Sequence, residues 1–137
     1  MQKLYIGPTS ITPEILFSPR ENIFRIKGTS SPEDVRALYY PVIEWIRLFV
    51  DEVIAGEYPA FKADNPLKFQ TDLNYFNSSS AKFLFDIFTE LKRLADNNIP
   101  IIVEWIHDPE DEESMEAGTD IASLVGMEFV FITQQGI

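Results

Sequence analysis

The chain has 137 residues, 22 acidic against 11 basic side chains, a net charge of −11 and no cysteine. This charge disfavours nucleic acids and anionic lipids as partners, because both bind through basic side chains, and the lack of cysteine excludes disulfides and thiolate sites. The length predicts one domain over residues 1–137, and without a signal-peptide or membrane-spanning pattern we expect a cytoplasmic protein that binds another protein.

The first elements predicted along the chain are short strands. Residues 3–6 form a short strand that Gly7 and the following proline end. Residues 14–18 and 22–27 then form a hairpin around a turn at residues 18–21.

A long amphipathic helix follows the hairpin. Ser31 has the residue type of an N-cap, Pro32 suits the first helical position, and apolar residues then recur at helical spacing up to Ala55. Pro41 lies inside this helix and removes a backbone hydrogen bond, which predicts a bend near Tyr40 or two helices in series.

The next strand, over residues 67–75, has two unlike faces. Its apolar face consists of Leu67, Phe69, Thr71, Leu73 and Tyr75, and its polar face consists of Lys68, Gln70, Asp72 and Asn74. A polar second face predicts that one side of the sheet is open to water or to a partner, with the helices on the other side.

This strand runs into Asn77 and three serines, and a helix that ends near Asp96 starts there. Asn and Ser are residue types that cap a helix N-terminus, so capping alone explains them. A helix N-terminus also tolerates a phosphate well, because free N–H groups and the helix dipole favour negative charge. A half-exposed hydroxyl at Ser78 or Ser79 is therefore also a candidate modification site.

The remaining elements are a strand over residues 100–106, a helix over residues 109–125 capped by Asp108, and a strand over residues 127–133. Strand, helix and strand in this order predict a parallel crossover. The predicted fold class is α/β, with a mixed sheet of about five strands and helices mainly on one face.

Catalytic chemistry is sparse. His107 is the only histidine, and the chain has neither a Gly-x-Ser-x-Gly nucleophile turn nor a glycine-rich phosphate loop. His107 with Asp108, Glu110 and Asp111 could bind a hard cation, but this run lacks the glycine and spacing of a calcium loop. We therefore predict no enzyme activity, no metal site and no cofactor.

Four separated segments, in order, resemble the SiaC family of bacterial regulatory phosphoproteins, whose fold is similar to the STAS domains of anti-sigma-factor antagonists. These segments are Gly28-Thr29-Ser30-Ser31-Pro32-Glu33-Asp34, Pro41-Val42-Ile43-Glu44-Trp45-Ile46, Tyr75-Phe76-Asn77-Ser78-Ser79-Ser80-Ala81-Lys82, and Trp105-Ile106-His107-Asp108-Pro109-Glu110-Asp111-Glu112 with Glu116-Ala117-Gly118. The third segment resembles the family's phosphorylation site, with serine in place of threonine after the asparagine.

The resemblance implies a non-enzymatic switch with Ser78 as the phosphorylated residue, Ser79 and Ser80 as rivals, and Asn77, Ser78, Ser79 and Lys82 as partner-binding residues. It implies three protein partners, which are a protein kinase, a PP2C-type phosphatase and a diguanylate cyclase that the unmodified form activates in cyclic-di-GMP and biofilm control. Two alternatives remain open: a constitutive scaffold or homodimer that uses the open sheet face, and an enzyme or metal protein centred on His107.

Overall fold

One six-stranded sheet carries three helices in the structure, a computed structural model that describes residues 1–134. The elements in chain order are β1 (Leu4–Ile6), β2 (Glu14–Ser18), β3 (Ile23–Ser30), α1 (Val35–Ile54), β4 (Leu67–Phe76), α2 (Ser78–Asp96), β5 (Ile101–His107), α3 (Glu112–Val125) and β6 (Phe129–Thr133). The predicted order of strands and helices is confirmed, but the sheet has six strands and not about five.

The strands lie in the sheet in the order in which they occur in the chain. The β1–β2 and β2–β3 pairs are antiparallel, whereas β3, β4, β5 and β6 run parallel to one another. The sheet is therefore mixed, and the parallel pairing of β4 with β5 across α2 confirms the predicted parallel crossover.

All three helices pack on one face of this sheet. Registered neighbours on that face form an apolar row of Phe24, Phe69, Val103 and Phe129. The ring of Phe49 in α1 lies 5.3 Å from that of Phe24, and the ring of Phe88 in α2 lies 5.6 Å from that of Phe69. The opposite face carries polar pairs such as Gln70 with Glu104, joined by a 2.8 Å hydrogen bond. The predicted one-sided arrangement of helices is thus confirmed.

The third helix is held against the buried indole of Trp105. The indole N–H of Trp105 donates to the carbonyl of Ser114 at 3.1 Å. Gly118 lies over the same ring so closely that a Cβ atom there would be 2.7 Å from it. Only a residue without a side chain fits at this contact, so Gly118 sets the distance between α3 and β5.

The α1 helix begins three residues later than predicted. β3 continues through Ser30 because it pairs with β4 to its end, and the Ser31 N–H donates to the Ile11 carbonyl at 2.8 Å. The helix is instead capped by Asp34, whose side chain accepts from the Ala37 N–H at 3.1 Å. The prediction that Ser31 is the N-cap is wrong, because tertiary pairing keeps its backbone in an extended connection.

Pro41 lies inside one continuous helix, so the alternative of two helices in series is wrong. The carbonyl that loses its usual donor belongs to Ala37, on an exposed turn where water can satisfy it. Tyr39 and Val42 on either side of the proline are both fully buried, which anchors the helix across the interruption.

A similar shift moves the start of α3. Asp108 does not cap the helix, because its side chain accepts from the Glu110 N–H at 2.8 Å within a preceding turn. The N-cap is Asp111, whose side chain accepts from the Ser114 N–H at 3.0 Å. The predicted helix start at residue 109 is therefore wrong by three residues.

Tyr75 does not share the buried face on which the alternation placed it. Asn74 has no partner in the register between β3 and β4, because Leu73 and Tyr75 pair with successive residues of β3. This bulge breaks the two-residue period, so Tyr75 is 57% exposed and Phe76 turns its ring to within 5.9 Å of Trp105.

Candidate functional site

The carboxyl ends of the parallel strands and the amino ends of all three helices lie at the same edge of the sheet. β3, β4 and β5 each end there and lead into α1, α2 and α3. The three helices are capped by Asp34, Asn77 and Asp111. Only the cap of α2 is uncharged, and the first turn of α2 contains no acidic residue. A negative group is therefore best tolerated at the start of α2.

Asn77 holds the strand-to-helix junction in place. Its backbone is extended, with φ −83° and ψ 173°, and its side-chain oxygen accepts from the Ser80 N–H at 2.8 Å. Its own N–H donates to the Ser30 carbonyl at 3.0 Å, which ties the junction to the end of β3. The capping function that the sequence divided between Asn77 and the serines belongs to Asn77.

The three serines after this cap have different environments. Ser78 and Ser79 are exposed, and no hydrogen bond within residues 1–134 involves either hydroxyl. Ser80 is fully buried. The sequence thus predicted the location of an exposed hydroxyl correctly, but one of the three candidates lies beneath the surface.

Ser80 belongs to a buried network of three hydroxyl groups. Its Oγ donates to the Ser30 carbonyl at 3.0 Å and lies 2.7 Å from the Ser30 Oγ, which lies 2.6 Å from the Tyr39 hydroxyl. All three protons are satisfied when Tyr39 donates to Ser30, Ser30 donates to Ser80, and Ser80 donates to the carbonyl. Burial raises the pKa of Tyr39, against the smaller lowering effect of its hydrogen bond with Ser30.

This network joins the end of β3, the second turn of α1 and the first turn of α2. The Tyr39 ring also stacks on Phe83 of α2 at 5.6 Å with an interplanar angle of 7°. Sequence reasoning missed the network, because its hydrogen bonds join residues up to 50 positions apart in the chain. A hydroxyl-bearing residue within the apolar stripe of a helix was the available signal.

A groove between α1 and α2 begins one helical turn beyond the exposed serines. It has a volume of about 520 Å³ and is lined by Tyr40, Ile43, Glu44, Arg47, Lys82, Phe83, Asp86, Thr89 and Glu90. The exposed Lys82 ammonium lies 3.3 Å from a carboxylate oxygen of Asp86 and 5.0 Å from the centre of the Phe83 ring. Lys82 is also four residues after Ser78, so the two side chains lie on the same side of α2.

The sequence pattern of the family described as "SiaC family regulatory phosphoprotein" matches residues 6–134. The chain belongs to the SiaC family. The predicted resemblance to this family is thereby confirmed. Since the family consists of regulatory proteins, this SiaC-family chain is not an enzyme, as the sequence predicted.

Solved SiaC structures have the same fold. SiaC of Pseudomonas aeruginosa is 28% identical, with a TM-score of 0.72 over 98% of each chain. The crystal structure of apo-SiaC from the same organism is 25% identical, with a TM-score of 0.70 over 98% of this chain and 100% of that chain. A crystal structure of the diguanylate cyclase SiaD in complex with its activator SiaC, also from that organism, matches at 26% identity. Its TM-score is 0.75 over 96% of this chain and 98% of that chain.

His107 has a structural environment in this SiaC-family chain. It is largely buried, its Nδ1 lies 2.9 Å from the Asp108 carbonyl oxygen, and its ring packs edge-on against Phe131. Within residues 1–134, no three His, Asp or Glu side chains come together in a way that could hold a metal ion. In the same part of the chain, none of the helices combines the length and apolarity needed to cross a bilayer.

Proposed function

We propose that this chain is a phosphorylation-switched regulator that binds a diguanylate cyclase when unmodified and releases it when Ser78 carries a phosphate. The observation that carries the proposal is the Ser78 hydroxyl, which is exposed, free of hydrogen bonds within residues 1–134, and adjacent to the neutral cap Asn77. The related SiaC of Pseudomonas aeruginosa forms a complex with the cyclase SiaD as its activator. Transfer of that role to this chain makes it a component of cyclic-di-GMP and biofilm control.

Accessibility favours Ser78 and disfavours Ser80 as the modified residue. A kinase must reach the hydroxyl with its own active site, and the Ser80 hydroxyl is buried and donates to the Ser30 carbonyl. Ser79 is as exposed as Ser78 and remains its rival. Ser78 is preferred because the family resemblance assigns the modified hydroxyl to the position directly after the asparagine.

A phosphate at Ser78 is compatible with the folded chain. The first helical N–H groups of α2 have no intrahelical acceptor, and the helix dipole favours an anion there. Lys82, four residues later, is exposed and pairs with Asp86, so a phosphate would compete for its ammonium group. The modification should therefore stabilise the start of α2 and change its surface charge by about −1.5 to −2.

The same charge is unfavourable in a protein–protein interface. We propose that the partner covers Asn77, Ser78, Ser79 and Lys82 and extends along the groove between α1 and α2. A phosphate buried there loses its hydration, and the single nearby ammonium, that of Lys82, is shared with Asp86 and offsets this loss only in part. A net loss of about 2 to 3 kcal/mol weakens binding about thirty- to a hundred-fold.

The switch requires a protein kinase that adds the phosphate and a PP2C-type phosphatase that removes it. Both enzymes are proposed partners of this chain, and a cytoplasmic location, where ATP-dependent phosphorylation takes place, remains a prediction. The alternative is constitutive binding or a homodimer through the helix-free face of the sheet, with Ser78 left unmodified. The polar pairs on that face, such as Gln70 with Glu104, make it compatible with either solvent or a partner.

The first test is to purify the protein from its native host under several growth conditions and map its phosphopeptides by mass spectrometry. The proposal predicts phosphate on Ser78 in a condition-dependent fraction, with the Ser78→Ala variant unmodified and the Ser79→Ala variant modified as in the wild type. A well-covered peptide that stays unmodified in every condition would support constitutive binding instead. Sedimentation of the same preparations would then distinguish a homodimer from a monomer.

A further inference from the structure

The net charge of the chain is concentrated in its last third. All eleven Lys and Arg residues lie at or before Arg93, whereas ten of the 22 acidic residues follow it. Residues 1–93 therefore carry a net charge of −1, and residues 94–137 carry −10. Salt bridges between described residues involve no residue beyond Asp96. The carboxylates that follow Asp96 thus lack a basic partner within residues 1–134, which leaves their charge for a basic group outside the chain.

The same part of the chain ends in an edge strand. β6 pairs with β5 on one side and is the last strand of the sheet. The Gln134 N–H donates to the His107 carbonyl at 2.7 Å, so Gln134 faces β5. Backbone groups alternate in direction along a strand, so those of Ile132 and Val130 also face β5, whereas those of Phe129, Phe131 and Thr133 face outward.

Nothing in the sequence of β6 protects this edge against pairing. The strand reads Phe-Val-Phe-Ile-Thr, without charge or proline, and its register with β5 has no bulge. Natural edge strands usually carry such features, because an open row of N–H and C=O groups pairs with any extended chain. Val130 is 49% exposed and Thr133 is exposed, so a chain could approach.

One flank of α3 lies beside this edge, and exposed carboxylates lie on that flank and next to it. Glu113 and Ala117 line a cavity with the end of β4, so the flank of α3 that contains these two residues faces β4 and not β6. At 3.6 residues per turn, Glu112, Met115 and Thr119 lie on the opposite flank, on the side of β6. These three residues are exposed, and Glu116 and Glu128 add two further exposed carboxylates nearby in the chain.

We propose that the outer edge of β6, which pairs with no strand within residues 1–134, binds an extended basic segment of a protein partner as a seventh strand, together with the adjoining flank of α3. The outward backbone groups of Phe129, Phe131 and Thr133 would supply the pairing, and the carboxylates would select for Lys and Arg. A second copy of this chain is a poorer occupant, because it would bring two regions of −10 charge together. This surface is separate from Ser78, since β5 lies between β4 and β6.

The test uses an eight-residue capped peptide of alternating Lys and Val as the probe, titrated into the full ¹⁵N-labelled chain. The proposal predicts chemical-shift changes and slowed amide exchange at Phe129, Phe131 and Thr133, and binding that weakens as salt is added. A peptide of alternating Glu and Val should not bind. No saturable shift at β6 with the Lys peptide would overturn the proposal, as would a dimer seen by sedimentation whose contact shifts map to β6.

Thr133→Pro is the sharpest variant, because the Thr133 N–H faces away from β5 and the pairing of β6 within residues 1–134 does not use it. It should melt like the wild type and bind the Lys peptide about tenfold more weakly, whereas Thr133→Val should bind normally. Glu112→Gln with Glu116→Gln should weaken binding without altering the melt. If Thr133→Pro and the double glutamine variant both bind the Lys peptide as the wild type does, strand addition at β6 is refuted. Ser78→Asp should leave peptide binding unchanged, so this test stays independent of the phosphorylation switch.

Discussion

The clearest structural test concerns the separate functions of Asn77 and Ser78. Asn77 accepts the Ser80 N–H and caps α2, whereas the Ser78 hydroxyl makes no hydrogen bond within residues 1–134. We therefore expect Asn77→Ala to destabilise the chain and Ser78→Ala to leave its stability nearly unchanged. Asn77→Asp keeps an acceptor in the same place and is the matched control.

The magnitude follows from the environment of the Ser80 N–H. Removal of an N-cap side chain typically costs about 1 kcal/mol, within a range of about 0.5–2 kcal/mol. Ser80 is fully buried, so water could replace the Asn77 side chain as acceptor of the Ser80 N–H only poorly. We therefore expect Asn77→Ala to lower the free energy of unfolding by about 1–2 kcal/mol. For a chain of this length, that loss lowers the melting temperature by about 3–8 °C. Ser78→Ala should change the stability by less than about 0.5 kcal/mol.

Urea unfolding followed by circular dichroism measures both variants, with the slope of the transition checked for equality. If Ser78→Ala proves as destabilising as Asn77→Ala, the Ser78 hydroxyl is itself a cap. The reasoning that leaves it free for a kinase would then be refuted. Ser79→Ala provides the neighbouring control and should also be nearly neutral.

Three further predictions concern the core around this site. Gly118→Ala should lower the free energy of unfolding by about 1–3 kcal/mol, because the added Cβ would lie 2.7 Å from the Trp105 ring. A urea midpoint equal to that of the wild type would show that α3 can shift away from the ring to accommodate the methyl group. Thr71→Val should raise the stability by about 1 kcal/mol in the same assay, because the buried Thr71 hydroxyl has no partner within residues 1–134; a loss would reveal an unrecognised hydrogen bond. Tyr39→Phe should cost about 1 kcal/mol at neutral pH. Because burial raises the Tyr39 pKa, the wild type keeps that stability below the ordinary pKa of 10.0 and loses it as pH rises further. Between neutral pH and pH 11, the Tyr39→Phe variant should therefore lose less stability than the wild type. Equal losses of stability in the two proteins would contradict the raised pKa of Tyr39.

The order of elements could be predicted because each one carries a local signal. The apolar period of two in β4 and of about 3.6 in α2 depends only on neighbouring residues, and the polar second face of β4 indicated the uncovered side of the sheet. The junction at Asn77 was located for the same reason, since cap residue types precede a helical pattern.

The errors arise where distant residues or a tight local turn decide the backbone. The two helix caps that were predicted wrongly, those of α1 and α3, each preceded a proline. Both true caps lie three residues later, because a tertiary contact or a turn occupies the first candidate. Ser31 donates to Ile11, and Asp108 accepts from Glu110. The burial of Ser80 likewise depends on the Ser30 hydroxyl, 50 residues earlier in the chain. A local pattern can locate three serines at a helix start, but it cannot tell which of them face the solvent.

The proposed switch requires that a phosphate on Ser78 controls binding to a diguanylate cyclase. The most direct measurement compares the affinity of two preparations of the full chain, unmodified and with phosphoserine incorporated at position 78, for the cyclase recovered from the native host. Calorimetric titration should give a dissociation constant about thirty- to a hundred-fold higher for the phosphorylated form. Equal affinities for the unmodified and Ser78-phosphorylated forms would contradict the proposed switch.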